Sequence, residues 1–361
     1  MKILYGINTN GQGHINRARI FIEELIKDGH EVQVLLTGKK PPEYAFNLVP
    51  VTYFKTGPID IYKDNKLSYS KSLQVNIVNI GNLTKNRRDI LELVEEENYD
   101  ALFTDFEPMT SFIGKVLKKP VICIDHQHSA FHPANEEAPA KQYYKLGLKF
   151  AMKVMVPYFS HCFSIDFVDK IETVDNMTLF PLVWKPEFNN YQITVADHYL
   201  VYLARYNKQK MMKVLEAFPE TKFIVYGFNL NETIGNVVFK STSREEFLKD
   251  LASCKGVISN GGFSLSWECC LLHKVLWMIP HPNNYEQYTN AYRLQKMKRA
   301  FVSEDLTKEN MNEFFTEAKK QNFKPAFDLP VLLPSALLDM VYTQLNYQLE
   351  SKKKENKKRR N

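Results

Sequence analysis

The amino-acid sequence predicts an α/β protein of two Rossmann-like, doubly wound domains facing a cleft. Three observations carry this. Short β-branched or aromatic runs alternate with amphipathic helical stretches along most of the 361 residues. The runs are apolar throughout rather than alternating, as expected of parallel strands covered on both faces. The chain also exceeds the ~250–300 residues at which a single core stops growing, so two cores are expected.

In the first half the strands are "KILYGIN", "HEVQVLLT", "DALFTD", "KPVICID" and "SHCFSID". The first helix runs from about Ile15 to Lys27 and stops at Asp28-Gly29, where glycine accepts the left-handed cap conformation. "FPLVWKPEFNNYQITVADH" has two prolines and no period, so it reads as the interdomain linker. The pattern then restarts with "HYLVYLAR", "TKFIVYG" and "NVVFK", a helix "SREEFLKDLASC", strand "KGVISN", helix "SLSWECCLLH" and strand "KVLWMIP". The expected division is a first domain over 1–180, a linker over 181–198 and a second domain over 199–334. A helix over 335–350, packing back toward the first domain, and a disordered basic tail over 351–361 complete it.

Hydrophobic and charged contents of 44% and 24% are those of an ordinary soluble protein. No run approaches the ~18 apolar residues of a membrane span, and "MKILYGINTN" lacks the apolar region of a signal peptide. Five cysteines without a C-x-x-C pair fit buried thiols in a reducing compartment, and neither a disulfide framework nor a zinc site is expected of them. The vicinal Cys269-Cys270 pair reads as core. The expected location is cytoplasmic, with peripheral contact at the inner face of the membrane as the sharper option. The tail holds seven Lys/Arg against one Glu, a surplus equal to the +6 of the whole chain. The body is therefore near neutral, and nucleic acid is not an expected partner. The tail reads either as solvated and disordered or as an electrostatic tether to an anionic surface.

Two loops carry chemistry. In "GINTNGQGHINRA", Gly11 and Gly13 open a helix after a buried strand. Asn16 stands where a dinucleotide fingerprint needs its third glycine, and the second strand ends without an acid, which disfavours a nicotinamide site. The amides of Gly11, Gly13 and His14 still sit at a helix N-terminus, where unpaired donors and the dipole suit an anion. His14 points toward the cleft; its plain alternative is a hydrogen bond to local backbone.

"ISNGGFSLSWE" is the stronger signal. Asn260, Gly261 and Gly262 allow close approach of an anion, and Ser264 is placed to cap the helix and donate to a phosphate oxygen. Glu268 lies four residues further, ~6 Å along the helix, about the reach from a diphosphate to a ribose. Glu286, Gln287 and Asn290 open the next helix as an acid-and-amide cluster suited to a sugar.

"SNGGFSLSWE…KVLWMIPHPNNYEQYTNAYRL" resembles the donor-binding segment of B-fold glycosyltransferases, the superfamily of UDP-glycosyltransferases and the lipid II N-acetylglucosaminyltransferase. "GQGHINRA", "TDFEP" and "IDHQH" resemble the same superfamily, and the likeness spans nearly the whole chain. It implies transfer of a hexose or N-acetylhexosamine from a nucleotide sugar, a UDP-sugar first, to an acceptor hydroxyl with inversion. By position it implies Gly261, Gly262 and Ser264 on the diphosphate, Glu268 on the ribose, and Glu286 and Gln287 on the sugar. Gly11, Gly13 and Arg17 fall on the phosphate and acceptor side. Ser259-Asn260 departs from the His-Cys of plant members, and Phe228 is the one suggestion for a nucleobase contact.

The chain has no D-x-D, the pairing that holds a metal on the donor diphosphate in A-type enzymes. No metal or other cofactor is therefore expected, and helix N-termini must stabilise the leaving group. His14 is the first candidate base, its neutral imidazole being available near pH 7. Asp105 either orients His14, acts as base itself, or merely caps the helix ahead of Pro108. His126, His128 and His132 read as an acceptor-pocket loop or ordinary loop hydrogen bonding rather than a metal site.

Lys141, Lys145, Lys149 and Lys153 recur every four residues as a basic stripe beside an apolar face. That face either packs on the sheet or meets a membrane carrying a lipid-linked acceptor. A polymeric or small acceptor suits the loops equally. Two rivals stand beside transfer: a UDP-sugar epimerase on the same fold, and a non-catalytic protein binding an anionic surface or polysaccharide.

Overall fold

The computed structural model describes residues 1–38, 50–54, 62–63, 66–67, 80–140, 142–241, 243–319 and 329–360. Lys141 of the expected basic stripe lies outside them, as do the side chains of the last basic residues.

The first domain opens with β1 (Lys2–Asn8), α1 (Gln12–Lys27), β2 (Glu31–Thr37) and β3 (Val51–Phe54), followed by a hairpin of β4 (Tyr62–Lys63) and β5 (Lys66–Leu67). Then come α2 (Ile80–Glu97), β6 (Ala101–Asp105), α3 (Pro108–Val116), β7 (Val121–Asp125) and a 3-10 turn (Gln127–Phe131). The domain ends with α4 (Gln142–Met155), β8 (His161–Ile165), β9 (Glu172–Val174) and β10 (Met177–Phe180). Its eight-stranded sheet has the order β3-β2-β1-β6-β7-β8-β10-β9, parallel except for β9 at the edge. Strands β6, β7 and β8 are buried at every residue, which is why their sequences show no polar alternation. At the end of α1, Gly29 adopts φ +79° and its amide donates to the Ile26 carbonyl, closing the helix.

The linker contains β11 (Leu182–Val183) and a 3-10 turn (Pro186–Asn190). The second domain comprises β12 (His198–Tyr202), α5 (Lys208–Leu215), β13 (Lys222–Tyr226), β14 (Glu232–Ile234), β15 (Val237–Phe239) and α6 (Arg244–Ser253). After these follow β16 (Gly256–Ser259), α7 (Phe263–Leu271), β17 (Val275–Met278), α8 (Tyr285–Lys296), β18 (Ala300–Val302) and α9 (Lys308–Lys319). The seven strands lie in the order β14-β15-β13-β12-β16-β17-β18.

The chain then returns. β19 (Val331–Leu332) pairs with β11 in the linker, and α10 (Pro334–Arg360) packs on α1. Tyr342 donates to Asp28 at 2.6 Å, and its ring meets His30 edge-on. Sequence reading ends this helix near 350 and expects a disordered tail; the backbone instead stays helical to Arg360. Lys, Arg and Glu are good helix formers and no Gly or Pro interrupts them, so charge composition carries no stop signal.

Leaving aside the antiparallel edge strands β9 and β14, the strand order of each sheet reverses at one place, between β1 and β6 and between β12 and β16. Ligands of doubly wound sheets enter outside the carboxyl ends of the strands at such a reversal. The loops found there are the two glycine loops.

Candidate active site

At the first reversal, β1 and β6 run in register with Ile7 opposite Asp105. The strand ends therefore bring the start of α1 beside Asp105, although His14 and Asp105 are 91 residues apart. His14 Nδ1 lies 2.7 Å from Asp105 Oδ1. With that nitrogen donating to the carboxylate, Nε2 is the basic nitrogen of the ring. Arg17 Nε donates to Asp105 Oδ2 at 2.8 Å, and its Nη2 reaches Oδ1. Nη2 also lies 3.1 Å from His14 Nδ1, an approach between two donors once Nδ1 carries its proton.

Asp105 and Arg17 are buried, whereas His14 keeps an open edge. The Phe106 ring stacks on the imidazole at 5.9 Å. Arg17, expected on the phosphate side, is thus turned inward to hold Asp105. Burial works against its charge, but the adjacent carboxylate raises its pKa overall. The capping alternative for Asp105 falls to Glu107, whose carboxylate accepts from the amides of Met109 and Thr110 at 2.8 Å each. Burial raises the Glu107 pKa against the pull of these amides.

At the second reversal, Gly261 has φ +77° and Gly262 is the N-cap of α7 with no side-chain cap. Ser264 lies inside the first turn and is not the cap. A Cβ on Gly13 would stand 2.5 Å from Ser264 Oγ, so the two glycine loops meet across the cleft. The amide of Asn260 donates to the Ile279 carbonyl, and its Oδ1 is buried without a partner among the described residues.

Several expected donor contacts are engaged within the protein. Glu268 is buried and paired with Lys185 at 2.7 Å and Arg244 at 2.9 Å. Burial alone would raise its pKa, but these two cations hold it at about 2. Arg244 also pairs with Glu187. It lines an open pocket of about 240 Å³ between α1 and the linker, together with Asn16, Arg19, Glu23 and Asn190.

The amide of Asn290 donates to the Gly261 carbonyl at 3.1 Å, while its oxygen meets His126 Nε2 at 2.7 Å. Gln287 accepts from the His281 amide at 2.9 Å. Glu286 accepts from Gln127 at 3.3 Å. Asn290, Gln287 and Glu286 therefore brace the glycine loop and the interdomain contact. Their amides and acid were legible, but the neighbours that occupy them come from other elements.

Of the histidine loop, His126 stacks on Phe263 with centroids 3.6 Å apart, His128 pairs with Asp125 at 2.6 Å, and His132 contacts the Met177 carbonyl. They do not converge. Phe228, suggested for the nucleobase, packs edge-on against Phe239. Cys269 and Cys270 are both buried.

Arg205 escaped the sequence reading. It is exposed just past the carboxyl end of β12, with φ +65°. That left-handed backbone is uncommon for a long side chain and clusters at functional sites. Burial lowers the pKa of His281 to about 4, helped by the charge of Arg205, which places that charge near the loop after β17. No local motif marks it; only the strand order brings it there.

Many solved glycosyltransferases share this architecture. The spinosyn rhamnosyltransferase SpnG, complexed with thymidine diphosphate, superposes with a TM-score of 0.56 at 12% identity, covering 95% of this chain and 100% of its own. The calicheamicin glycosyltransferase CalG4 gives 0.61 at 14% identity, covering 96% and 98%. SsfS6 of Streptomyces sp. SF2575, also with thymidine diphosphate, gives 0.59 at 14%, covering 95% and 99%. At such identities the likeness shows the fold alone. No curated protein sequence matches the chain. Residues 1–318 match the family described as Glycosyl transferase family 1, and the chain belongs to that family as a glycosyltransferase of the two-domain B fold.

Proposed function

We propose that this nucleotide-sugar glycosyltransferase moves a hexose or N-acetylhexosamine from a UDP-sugar to an acceptor hydroxyl, with inversion and without a metal on the diphosphate. One observation carries the reading: His14, held by Asp105, faces the uncapped start of α7 across the Gly13–Ser264 contact. His14 Nε2 takes the proton of the acceptor hydroxyl as its oxygen attacks the anomeric carbon. The bond to the diphosphate breaks, and the released charge meets the first amides of α7, the Ser264 hydroxyl and Arg205. General-base assistance of this kind contributes ~10²–10⁴-fold, and preorganised donors supply much of the rest.

The nucleoside end extends along α7 toward Glu268 and the pocket beside Arg244. Glu268 meets the ribose hydroxyls by releasing Arg244, the more exposed of its two partners. The thymidine diphosphate complexes of SpnG and SsfS6 make dTDP-sugars the second donor class to test.

The acceptor is lipid-linked in this reading. Tyr143, Leu146, Phe150 and Val154 are 49% to 66% exposed on α4, and their spacing puts them on one stripe. Lys149 and Lys153 flank it in the manner of an interfacial helix on an anionic membrane. Among the described residues no helix is long and apolar enough to cross a membrane.

A thermal-shift panel of UDP, dTDP, GDP, CDP and ADP in chelator tests the donor site. Stabilisation by UDP that is lost in Ser264→Ala is the expected result. No stabilisation by any nucleoside diphosphate, or stabilisation only with magnesium, overturns the reading. Flotation with phosphatidylglycerol vesicles tests the surface: wild type floats and Phe150→Glu does not, whereas equal recovery of both removes the membrane.

A further inference from the structure

A group of metal-binding side chains lies one strand away from the catalytic pair and takes no part in transfer. β7 and β8 are parallel neighbours with Cys123 opposite Cys162. Side chains of a strand return to one face every second residue, so Asp125 and Ser164 stand on the same face as the two thiols. Ser164 Oγ donates to Asp125 Oδ1 at 2.9 Å. The turn after β7 brings His128 back over the strand ends, with Nδ1 at 2.6 Å from Asp125 Oδ2. One donor atom each from Cys123, Asp125, His128 and Cys162 lies within 4.8 Å of the other three, and all four residues are buried. Met155 and Val156 close over the thiols with Phe106 and Phe159, a dry shell around four ligand groups.

We propose that Cys123, Asp125, His128 and Cys162 bind a structural zinc ion. Two sulfurs, one imidazole nitrogen and one carboxylate oxygen are a donor set for a borderline-soft, four-coordinate cation; calcium and magnesium take all-oxygen sets. With metal–sulfur bonds of about 2.3 Å and metal–nitrogen or –oxygen bonds of about 2.0–2.1 Å, tetrahedral ligand atoms stand about 3.3–3.8 Å apart. A group spanning no more than 4.8 Å closes on an ion by small side-chain adjustments. The His128–Asp125 contact widens as the ion enters, and the two thiols give up their protons to solvent. Ser164 then remains the outer partner that orients the Asp125 carboxylate.

The ion would fasten the 3-10 turn to the sheet. His126 and Gln127, which begin that turn, make the bonds to Asn290 and Glu286 of the second domain. A metal beneath them sets where the two domains touch without meeting the substrate.

The test uses the full chain, expressed with zinc and purified under reducing conditions without chelator. Elemental analysis is expected to find about one zinc per chain. The cobalt-loaded wild type should show thiolate-to-cobalt charge transfer and the strong visible bands of tetrahedral cobalt. Cys162→Ser should lose both the zinc and the charge-transfer band, and strong chelators should lower the melting temperature of wild type more than that of the variant. The wild-type cobalt spectrum decides even where a variant fails to fold. Wild type free of stoichiometric metal, a cobalt spectrum without charge transfer, or a Cys123–Cys162 disulfide found by mass spectrometry would each overturn the proposal. None of these readouts depends on transfer activity.

Discussion

Gly13→Ala isolates the meeting of the two domains. The added Cβ would stand 2.5 Å from Ser264 Oγ and 3.4 Å from Ser264 Cβ. Non-bonded heavy atoms prefer about 3.5–4.0 Å, so the first contact is too close by about 1 Å and the second is nearly ordinary. Overpacking of this kind costs about 1–3 kcal/mol, borne only when the cleft is closed. That corresponds to a loss of about 5- to 150-fold in the population of the closed form, read as a fall in kcat/KM for transfer. Within α1 itself the change is favourable, since Ala exceeds Gly as a helix former by up to about 1 kcal/mol. The melting temperature should therefore hold or rise while activity falls. Ser264→Ala removes the offending oxygen, so the double variant should be no worse than Ser264→Ala alone. A silent Gly13→Ala, or losses that multiply in the double variant, would refute the closed contact as part of the catalytic state.

Three further outcomes follow from the same geometry. His14→Ala should lower kcat by about 10²–10⁴-fold, and adding Asp105→Asn should lower it little more, because the two act as a unit; multiplicative losses would separate them. Arg205→Ala should weaken UDP binding by calorimetry and leave uridine unaffected, with Arg205→Lys restoring part of the loss; equal weakening of both ligands would take Arg205 off the diphosphate. Glu268, held at about 2 against an ordinary 4.5, contributes about 3 kcal/mol of stability at neutral pH. Because its folded pKa is depressed, that stability is full above the unfolded pKa and is lost as pH falls toward 2. Urea denaturation of Glu268→Gln should show lower stability at pH 7 and a flatter profile between pH 5 and 2.

The alternation of elements and both glycine loops were legible because apolar runs, glycines and helix starts are local signals. The fold class they predict is the one observed. The residue types of the His14–Asp105 pair were legible too, but their contact depends on β6 lying beside β1, which no local pattern states. Arg17 fell on the phosphate and acceptor side by resemblance; the buried Asp105 carboxylate that it holds is 88 residues away, and no local pattern states that contact. Glu268 was read without Lys185 and Arg244, its partners 83 and 24 residues away, so its occupied carboxylate was invisible. The partners of Asn290 and Gln287 were invisible for the same reason, since an amide's partner is a matter of tertiary packing. The length of α10 was missed because a basic run is as compatible with helix as with disorder.

The return of the chain through β19 gives the two domains a hinge of two plies. Leu182 pairs with Val331 and Val183 with Leu332, so one segment leaving the first domain and another coming back are stitched side by side at the crossing. A single linker permits bending, twisting and sliding, whereas a paired one resists twist and leaves bending as the soft direction. Any relative movement of the two domains must then carry both paired segments together, so the crossing and the return of the chain act as one part.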